Sequence, residues 1–514
     1  MNDGTHAGHS GPAPAPPAEI RFHGGKAMSA VPILFFIAWA IAQSGVLGIG
    51  DTAGLIVGML VGLILGMLLV RGNWADYAEA VVEGMAQKVA VTAIVAWLWA
   101  GMFAATLQAG GFVDGLGWLA ETAGMGPAVF PAVTFLLAAL LATGIGTGYG
   151  TVIAFVALFF PAGVVLGADP LLMFGAILSG AVFGDNLAPV SDTTIVSAVT
   201  QDSDVGGVVA SRFKYAIIAA TLAFIAYLGF GWASTGAAID ADAAALFRAQ
   251  SNASGLFHLL PIAVVIGLAI RGRHIIQAIS VGLILAVAIN LLFGLAPGTD
   301  MLVFRVAEDS WAAARFGDWP LVQAVAAAEA GVGGSLYDGP VGFATLAVLI
   351  LLVLGGAQVM IRGGGFHALQ EWLLEKVARS VRSAELTMVS VTAGINAAIT
   401  INTAAQIAIA PYIATIGKRF NINGYRRANI LDANTSALGY IFPWAGGVLV
   451  GYTQMQGLAE TYDWFTPAMV VEPIQAWPWV FHGWLLVAVF LFSAWTGFGR
   501  EYTTDRISKG HATQ

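Results

Sequence analysis

Apolar runs of about 20 residues follow one another along nearly the whole chain, separated by short polar stretches, and that is the length at which a helix crosses the hydrocarbon core of a bilayer. Ten of them read as full crossings, at roughly 31–50, 52–70, 89–109, 171–200, 214–232, 257–270, 275–293, 341–361, 428–454 and 476–497. Two further regions, 127–168 and 386–417, are apolar but interrupted midway by Gly, Asn and Thr, which predicts re-entrant hairpins that dip in and return to their own side. Gly54, Gly58, Gly62 and Gly66 recur every fourth residue on the second crossing, a smooth stripe for scaffold packing or a dimer contact. Trp74, Trp97, Trp99, Trp118, Trp311 and Trp319 read as interface anchors and packing, and His258 and His482 as packed or interface histidines.

Charge assigns the sides. With both hairpins returning, the inside loops hold 19 of the 22 Lys and Arg, Lys88, Arg212, Arg271 and Arg273 among them, leaving Arg248, Arg305 and Arg315 outside. Both termini come out cytoplasmic, as in a multi-pass protein of the bacterial inner membrane. The expected fold is an all-α polytopic membrane protein with about ten transmembrane helices and two re-entrant hairpins in two inverted-topology repeats. Its parts are a disordered cytoplasmic tail (1–28), a first repeat (29–233: three helices, hairpin 127–168, two helices) and a periplasmic linker (234–256). A second repeat (257–499: three helices, hairpin 386–417, two helices) and a cytoplasmic tail (500–514) complete it.

Composition agrees: 58% of residues are hydrophobic and 10% charged, against about a quarter charged in soluble domains. There is no cysteine, hence no disulfide or thiolate site. The net charge of −8 is no nucleic-acid footprint. His6 and His9 could bind metal, but their Gly-, Ala- and Pro-rich surroundings read as an unstructured tail. No nucleophile–base pair or metal cluster suggests an enzyme. The partners expected are membrane lipid, a small cation or organic solute, and a second copy of the chain.

The chemistry concentrates in Gly184-Asp185-Asn186-Leu187-Ala188-Pro189-Val190-Ser191-Asp192-Thr193-Thr194, inside an apolar segment. Carboxylates there are costly against lipid and mark a pathway, while Pro189 breaks the helix and frees carbonyls. Two Asp with Ser and Thr oxygens make a cradle for Na⁺; the alternative is a polar kink satisfied by neighbouring helices. Upstream, Gly144-Ile145-Gly146-Thr147-Gly148-Tyr149-Gly150-Thr151 forms the first hairpin tip. It has some likeness to a potassium-channel filter, which however needs fourfold symmetry. The second half repeats the plan, with Asn396, Thr400, Asn402, Thr403 and Gln406 at the other tip and Asp432-Ala433-Asn434-Thr435-Ser436 before Pro443-Trp444. In this threading no arginine lies at membrane depth to pair with a substrate carboxylate, which favours a small cation as cargo.

These motifs resemble the NhaC family of Na⁺/H⁺ antiporters, within the wider ion-transporter superfamily, over roughly residues 30–500. The family's GT-rich first hairpin and its GDK-x-SPLSDTT stretch correspond to residues 146–151 and 184–194, and its later acidic stretch and PW to residues 431–435 and Pro443-Trp444. Asn186 stands where the family usually has a basic or other polar residue, Ala188 replaces a Ser, Leu431 a frequent Glu and Ala445 an Asn. The resemblance implies an elevator-like or rocking domain containing both hairpins and both broken helices, a scaffold, and a homodimer. The expected site has Asp185 and Asp192 as Na⁺-binding and proton-coupling residues, with Asn186, Ser191 and Thr193 beside them. Thr147 and Thr151 line the path, and Asn402, Thr403, Asp432, Asn434 and Thr435 form a symmetric second site. Protonation and Na⁺ binding compete at such carboxylates, so no cofactor is needed beyond the transported Na⁺ and H⁺. Members of the superfamily also exchange malate and lactate or carry amino acids, so the alternative is a Na⁺- or H⁺-coupled exchanger of a small carboxylate or amino acid.

Overall fold

A segment removed from water must satisfy its backbone groups internally, and nearly every apolar run of this chain is accordingly a helix. The computed structural model describes residues 19–49, 51–124, 126–189, 191–234, 245, 251–271, 273–325 and 330–503. Residues 1–18 of the expected first tail, most of the linker 234–256 and residues 504–514 lie outside the described residues.

Among the described residues, eight helical stretches are long and apolar enough to cross a membrane: Lys26–Val46, Lys88–Ala109, Gly148–Val165, Pro170–Leu187, Val205–Ala233, Ile276–Phe293, Ser335–Arg362 and Pro467–Thr496. Thr52–Leu68, Phe130–Gly144 and Ala253–Leu268 are shorter apolar helices. The expected ten thus resolve into eight long and several shorter pieces. Stretch 171–200 splits at Pro189, and 428–454 splits where helix gives way to turns between Leu438 and Gly446.

In the first half the helices are α1 Val31–Ala40, α2 Thr52–Leu68, α3 Trp74–Met85, α4 Lys88–Ala109, α5 Phe112–Thr122, α6 Phe130–Ile145, α7 Gly148–Val165, α8 Pro170–Leu187, α9 Asp192–Thr200 and α10 Val205–Ala233. The second half has α11 Leu259–Ile270, α12 Ile275–Phe293, α13 Gly298–Met301, α14 Trp311–Phe316, α15 Ser335–Val341 and α16 Ala344–Arg362. It continues with α17 Gly365–Lys376, α18 Val381–Ile399, α19 Asn402–Arg419, α20 Gly424–Leu438, α21 Gly446–Thr461, α22 Pro473–Ala476 and α23 Phe481–Thr496. Among the described residues, apart from two isolated bridges, Phe22 with Val70 and Ile422 with Tyr502, the strands form one small sheet between α13 and α15. There β1 Val303–Ala307 runs parallel to β2 Val322–Val325 and antiparallel to β3 Gly331–Gly333. Hydropathy had no signal for it, nor for the amphipathic α3, whose polar face leaves no apolar run.

Pairings in the first half recur in the second. Helix α10 packs on α6 and α8 as α23 packs on α18 and α20. Across the halves, α10 meets α20 as α23 meets α8, and α7 meets α21 as α19 meets α9. The outer pairs follow suit, α2 with α16 and α12 with α4. The glycine stripe of α2 closes on α1 within the chain. A Cβ on Gly58 would overlap the Trp39 ring, and one on Gly62 would lie 2.7 Å from the Pro32 carbonyl oxygen. Scaffold packing therefore occupies that face. His258 is a packing residue, with Nδ1 3.1 Å from the Gly255 carbonyl and Nε2 2.8 Å from Asn290 Oδ1. His482 is fully buried against Phe135 and Phe183.

Candidate functional site

Both interrupted regions turn between two helices by the same backbone device. Helix α6 ends on Gly146 in the left-handed region (φ 72°), Thr147 is extended, and α7 begins. Helix α18 ends on Thr400, also left-handed (φ 63°), Ile401 is extended, and α19 begins. A β-branched residue at positive φ is strained, so the second tip is held by its surroundings where the first uses glycine.

The break in the α8–α9 segment brings the two tips together. Helix α8 stops at Leu187, where Pro189 removes the donor a continuing helix needs, and α9 restarts at Asp192. Asp185, 4% exposed, accepts from the Gly148 backbone N–H at the first tip (2.7 Å). It also accepts from Tyr440 Oη just past α20 (2.5 Å) and from Asn402 Nδ2 at the second tip (3.4 Å). Asp192 accepts from Thr403 Oγ1, also at the second tip (2.5 Å). Thr193 Oγ1 donates to the freed Asp185 carbonyl (3.1 Å) and lies 2.9 Å from Ser191 Oγ. A cavity of about 390 Å³ ends on this cluster, with Thr147, Asp185, Asp192, Thr193, Asn402 and Thr403 on its wall. Asp192 is exposed to it, and Thr92, Ile195, Arg273 and His274 stand exposed at its mouth. Glycine at position 148 is a geometric necessity: a Cβ there would lie 2.8 Å from Asp185 Oδ2 and overlap the Tyr440 hydroxyl.

Other expected site residues lie behind this wall. Thr151 is buried and donates to the Thr147 carbonyl (3.0 Å). Asn434 Nδ2 donates to the Ile430 carbonyl (2.6 Å), and Thr435 Oγ1 to that of Leu431 (3.1 Å). Asp432, fully buried, does not line the cavity. It pairs with Arg212 Nη1 and accepts from Gln406 Nε2 (3.0 Å) and Ser436 Oγ (2.7 Å). The expectation that no arginine stands beside the site is corrected here. Arg212, assigned by charge counting to an inside loop, is a fully buried side chain of α10 that also donates to the Asn186 carbonyl. The Asn186 side-chain amide has no partner among the described residues, and Arg212 meets this residue at its backbone carbonyl. Its signal was faint: one arginine eight residues into an apolar helix reads as a helix end. Of the tryptophans expected as interface anchors or packing residues, Trp97 is a packing residue, fully buried on the cavity wall. Among the described residues no group of three or more His, Cys, Asp or Glu could hold a metal ion.

The profile of the Na⁺/H⁺ antiporter family matches residues 18–232 and 240–484. The chain is 28% identical over 132 residues to the arginine/ornithine antiporter ArcD of Halobacterium salinarum, covering 25% of this chain and 27% of that protein. It is 30% identical over 131 residues to a malate-2H⁺/Na⁺-lactate antiporter of Bacillus subtilis, covering 25% and 28%. The chain thus spans about a quarter of the length of the curated relatives it matches. The structure of Neisseria gonorrhoeae MtrF, of a class of antimetabolite efflux pumps, is similar over 86% of this chain and 94% of its own, at 10% identity and a TM-score of 0.42. That likeness is too loose to carry anything across.

Proposed function

The chain belongs to the Na⁺/H⁺ antiporter family, and we propose that this multi-pass secondary transporter exchanges Na⁺ for protons at Asp185 and Asp192 by alternating access. One observation carries the reading: Asp185 is held at once by the first hairpin tip, the second hairpin tip and the segment following α20, while Asp192 faces the shared cavity from Thr403. Two carboxylates of the one α8–α9 break, held by groups from both hairpin tips and from the segment after α20, form one exchange site. Loaded with Na⁺ or with protons, the site is less charged and can cross; empty and anionic, it cannot. Asp432, neutralised by Arg212, serves as a fixed counter-charge outside the exchange. The matched pairings of the two halves support an inverted repeat with re-entrant hairpins; placement in the inner membrane and assembly as a homodimer are part of the same proposal. The cavity mouth lies by Arg273 and the start of α4, the side that charge bias assigns to the cytoplasm, so this conformation faces inward.

A second reading has its own support. A cavity of about 390 Å³ lies within the ~300–1,000 Å³ of small-molecule sites. Arg273 at its mouth could meet a carboxylate. A coupled exchanger of a small carboxylate or amino acid would match the substrates in the relatives' names. Dequenching of a ΔpH dye in proteoliposomes separates the two. Na⁺ or Li⁺ should collapse the gradient in wild type and fail in Asp185→Asn and Asp192→Asn. Silence with every cation but a response to malate, lactate or an amino acid would replace the first reading by the second.

A further inference from the structure

Two cavities open onto a single face of α4. Ala93, Trp97, Gly101 and Ala105 lie four apart, one stripe of the helix. Ala93, Ala96 and Trp97 line the exchange cavity. Gly101, Ala105 and Gln108 line a second cavity of about 320 Å³, walled across from α4 by Asp338, Gln454 and Glu460. Helix α4 is itself long enough to span the membrane, so the cavities lie toward opposite faces. Four residues separate Trp97 from Gly101, which at 1.5 Å rise per residue is about 6 Å. One helical turn is all that divides them.

That turn is filled by aromatic side chains. The fully buried Trp97 ring meets Tyr149 edge-on (centroids 5.6 Å apart), and Tyr149 packs on Tyr440 (5.4 Å), whose hydroxyl holds Asp185. Trp97 Nε1 and Tyr149 Oη are both buried without a hydrogen-bond partner among the described residues. Both rings line the exchange cavity, and a donor left unmet by the protein is satisfied once water or another side chain reaches it, so this packing can open. The opposite wall is rigid: a Cβ on Gly101 would overlap the Gly339 carbonyl, leaving α4 and α15 no slack at that level.

We propose that the second cavity is the vestibule for small cations on the far side of the same path, and that Trp97 with Tyr149 forms the barrier between the vestibules. The inference rests on the transport reading for its cargo, but not for its geometry. The chain contains no cysteine, so single-cysteine variants label without background. In oriented proteoliposomes of the full chain, the cationic, membrane-impermeant reagent 2-(trimethylammonium)ethyl methanethiosulfonate should modify Thr92→Cys from one face and Ala105→Cys from the other. Each should react at least tenfold faster from its own side. Passive ²²Na⁺ leak should rise at least tenfold in Trp97→Ala over wild type, and Trp97→Phe, which keeps a ring, should restore tightness. Labelling of both cysteines from one face, or no reaction at Ala105→Cys from either, overturns the proposal, as does a tight Trp97→Ala. The labelling arm uses the intact barrier, so it decides even if Trp97→Ala fails to fold. It also stands when Na⁺ moves no protons, an outcome that would count against the antiport reading alone.

Discussion

Arg212 and Asp432, 220 residues apart in the chain, form an ion pair in which neither side chain is exposed. Burying two charges repays its desolvation only when the remaining donors and acceptors are also satisfied. Here Arg212 Nε donates to Asn429 Oδ1 (3.1 Å), and Asp432 accepts from Gln406, Ser436 and, at 3.3 Å, Thr194. The pair therefore ties the break of the first interrupted segment to α10, α19 and α20.

Removing one partner leaves the other charge buried and alone, at a cost of about 3–5 kcal/mol. Arg212→Gln and Asp432→Asn should each lower the melting temperature sharply, whereas the double variant should lose less than the sum. Asp432→Asn leaves a positive charge beside the exchange site, so its apparent Na⁺ affinity should fall, and the double variant should regain it. If Asp432 were itself a Na⁺ ligand, the double variant would be as impaired as the single one, which ΔpH dequenching would reveal.

The residues that break a pattern locally were legible; those that act through distant packing were not. Asp185, Pro189 and Asp192 stand out because polar groups and proline interrupt an apolar run, and the two tips stand out for the same reason. The roles of Arg212, Tyr440 and Trp97 depend on which helices meet, and an apolar helix gives each face the same hydropathy. Asp432 stands out for its charge, but the partner that neutralises it, Arg212, does not. The sheet from Val303 to Gly333 escaped because its strands are too short for an alternating pattern to register.

Gly148 permits the contact on which the site depends. In Gly148→Ala the new methyl would sit where the Tyr440 hydroxyl and Asp185 Oδ2 now lie, and overpacking of this kind costs about 1–3 kcal/mol. Na⁺-driven dequenching should be lost or shifted to Na⁺ concentrations at least tenfold higher, with the protein still folded by size exclusion. Pairing it with Tyr440→Phe, which removes the clashing hydroxyl, should restore part of the response. No restoration would mean the methyl acts elsewhere.

The segment after α23 is fastened by charge outside the spans. Partial burial by itself would raise the carboxyl of Glu501, but hydrogen bonds from Asn423 (2.9 Å) and Ser211 (3.0 Å) and the nearby Lys214 ammonium prevail and hold it below its ordinary 4.5. A lowered value in the folded state contributes stability that is fully present above the unfolded value and is lost as pH falls through the folded one. Glu501→Gln should therefore melt below wild type at pH 7, and the difference should close as pH drops beneath 4.5. A gap independent of pH would assign the effect to packing.

The two tips share one left-handed position but fill it differently, Gly146 in the first and Thr400 in the second. For a residue with a Cβ that conformation costs about 1–2 kcal/mol, which Gly146 avoids and Thr400 bears. Gly146→Ala should then destabilise by about that amount. Thr400→Gly relieves the same strain while loosening the unfolded chain by ~0.5–1 kcal/mol, so its melting temperature should stay close to wild type. A large loss in Thr400→Gly would instead mean that the buried Thr400 side chain, and no shared backbone rule, fixes the second tip, weakening the case that the halves are repeats of one design.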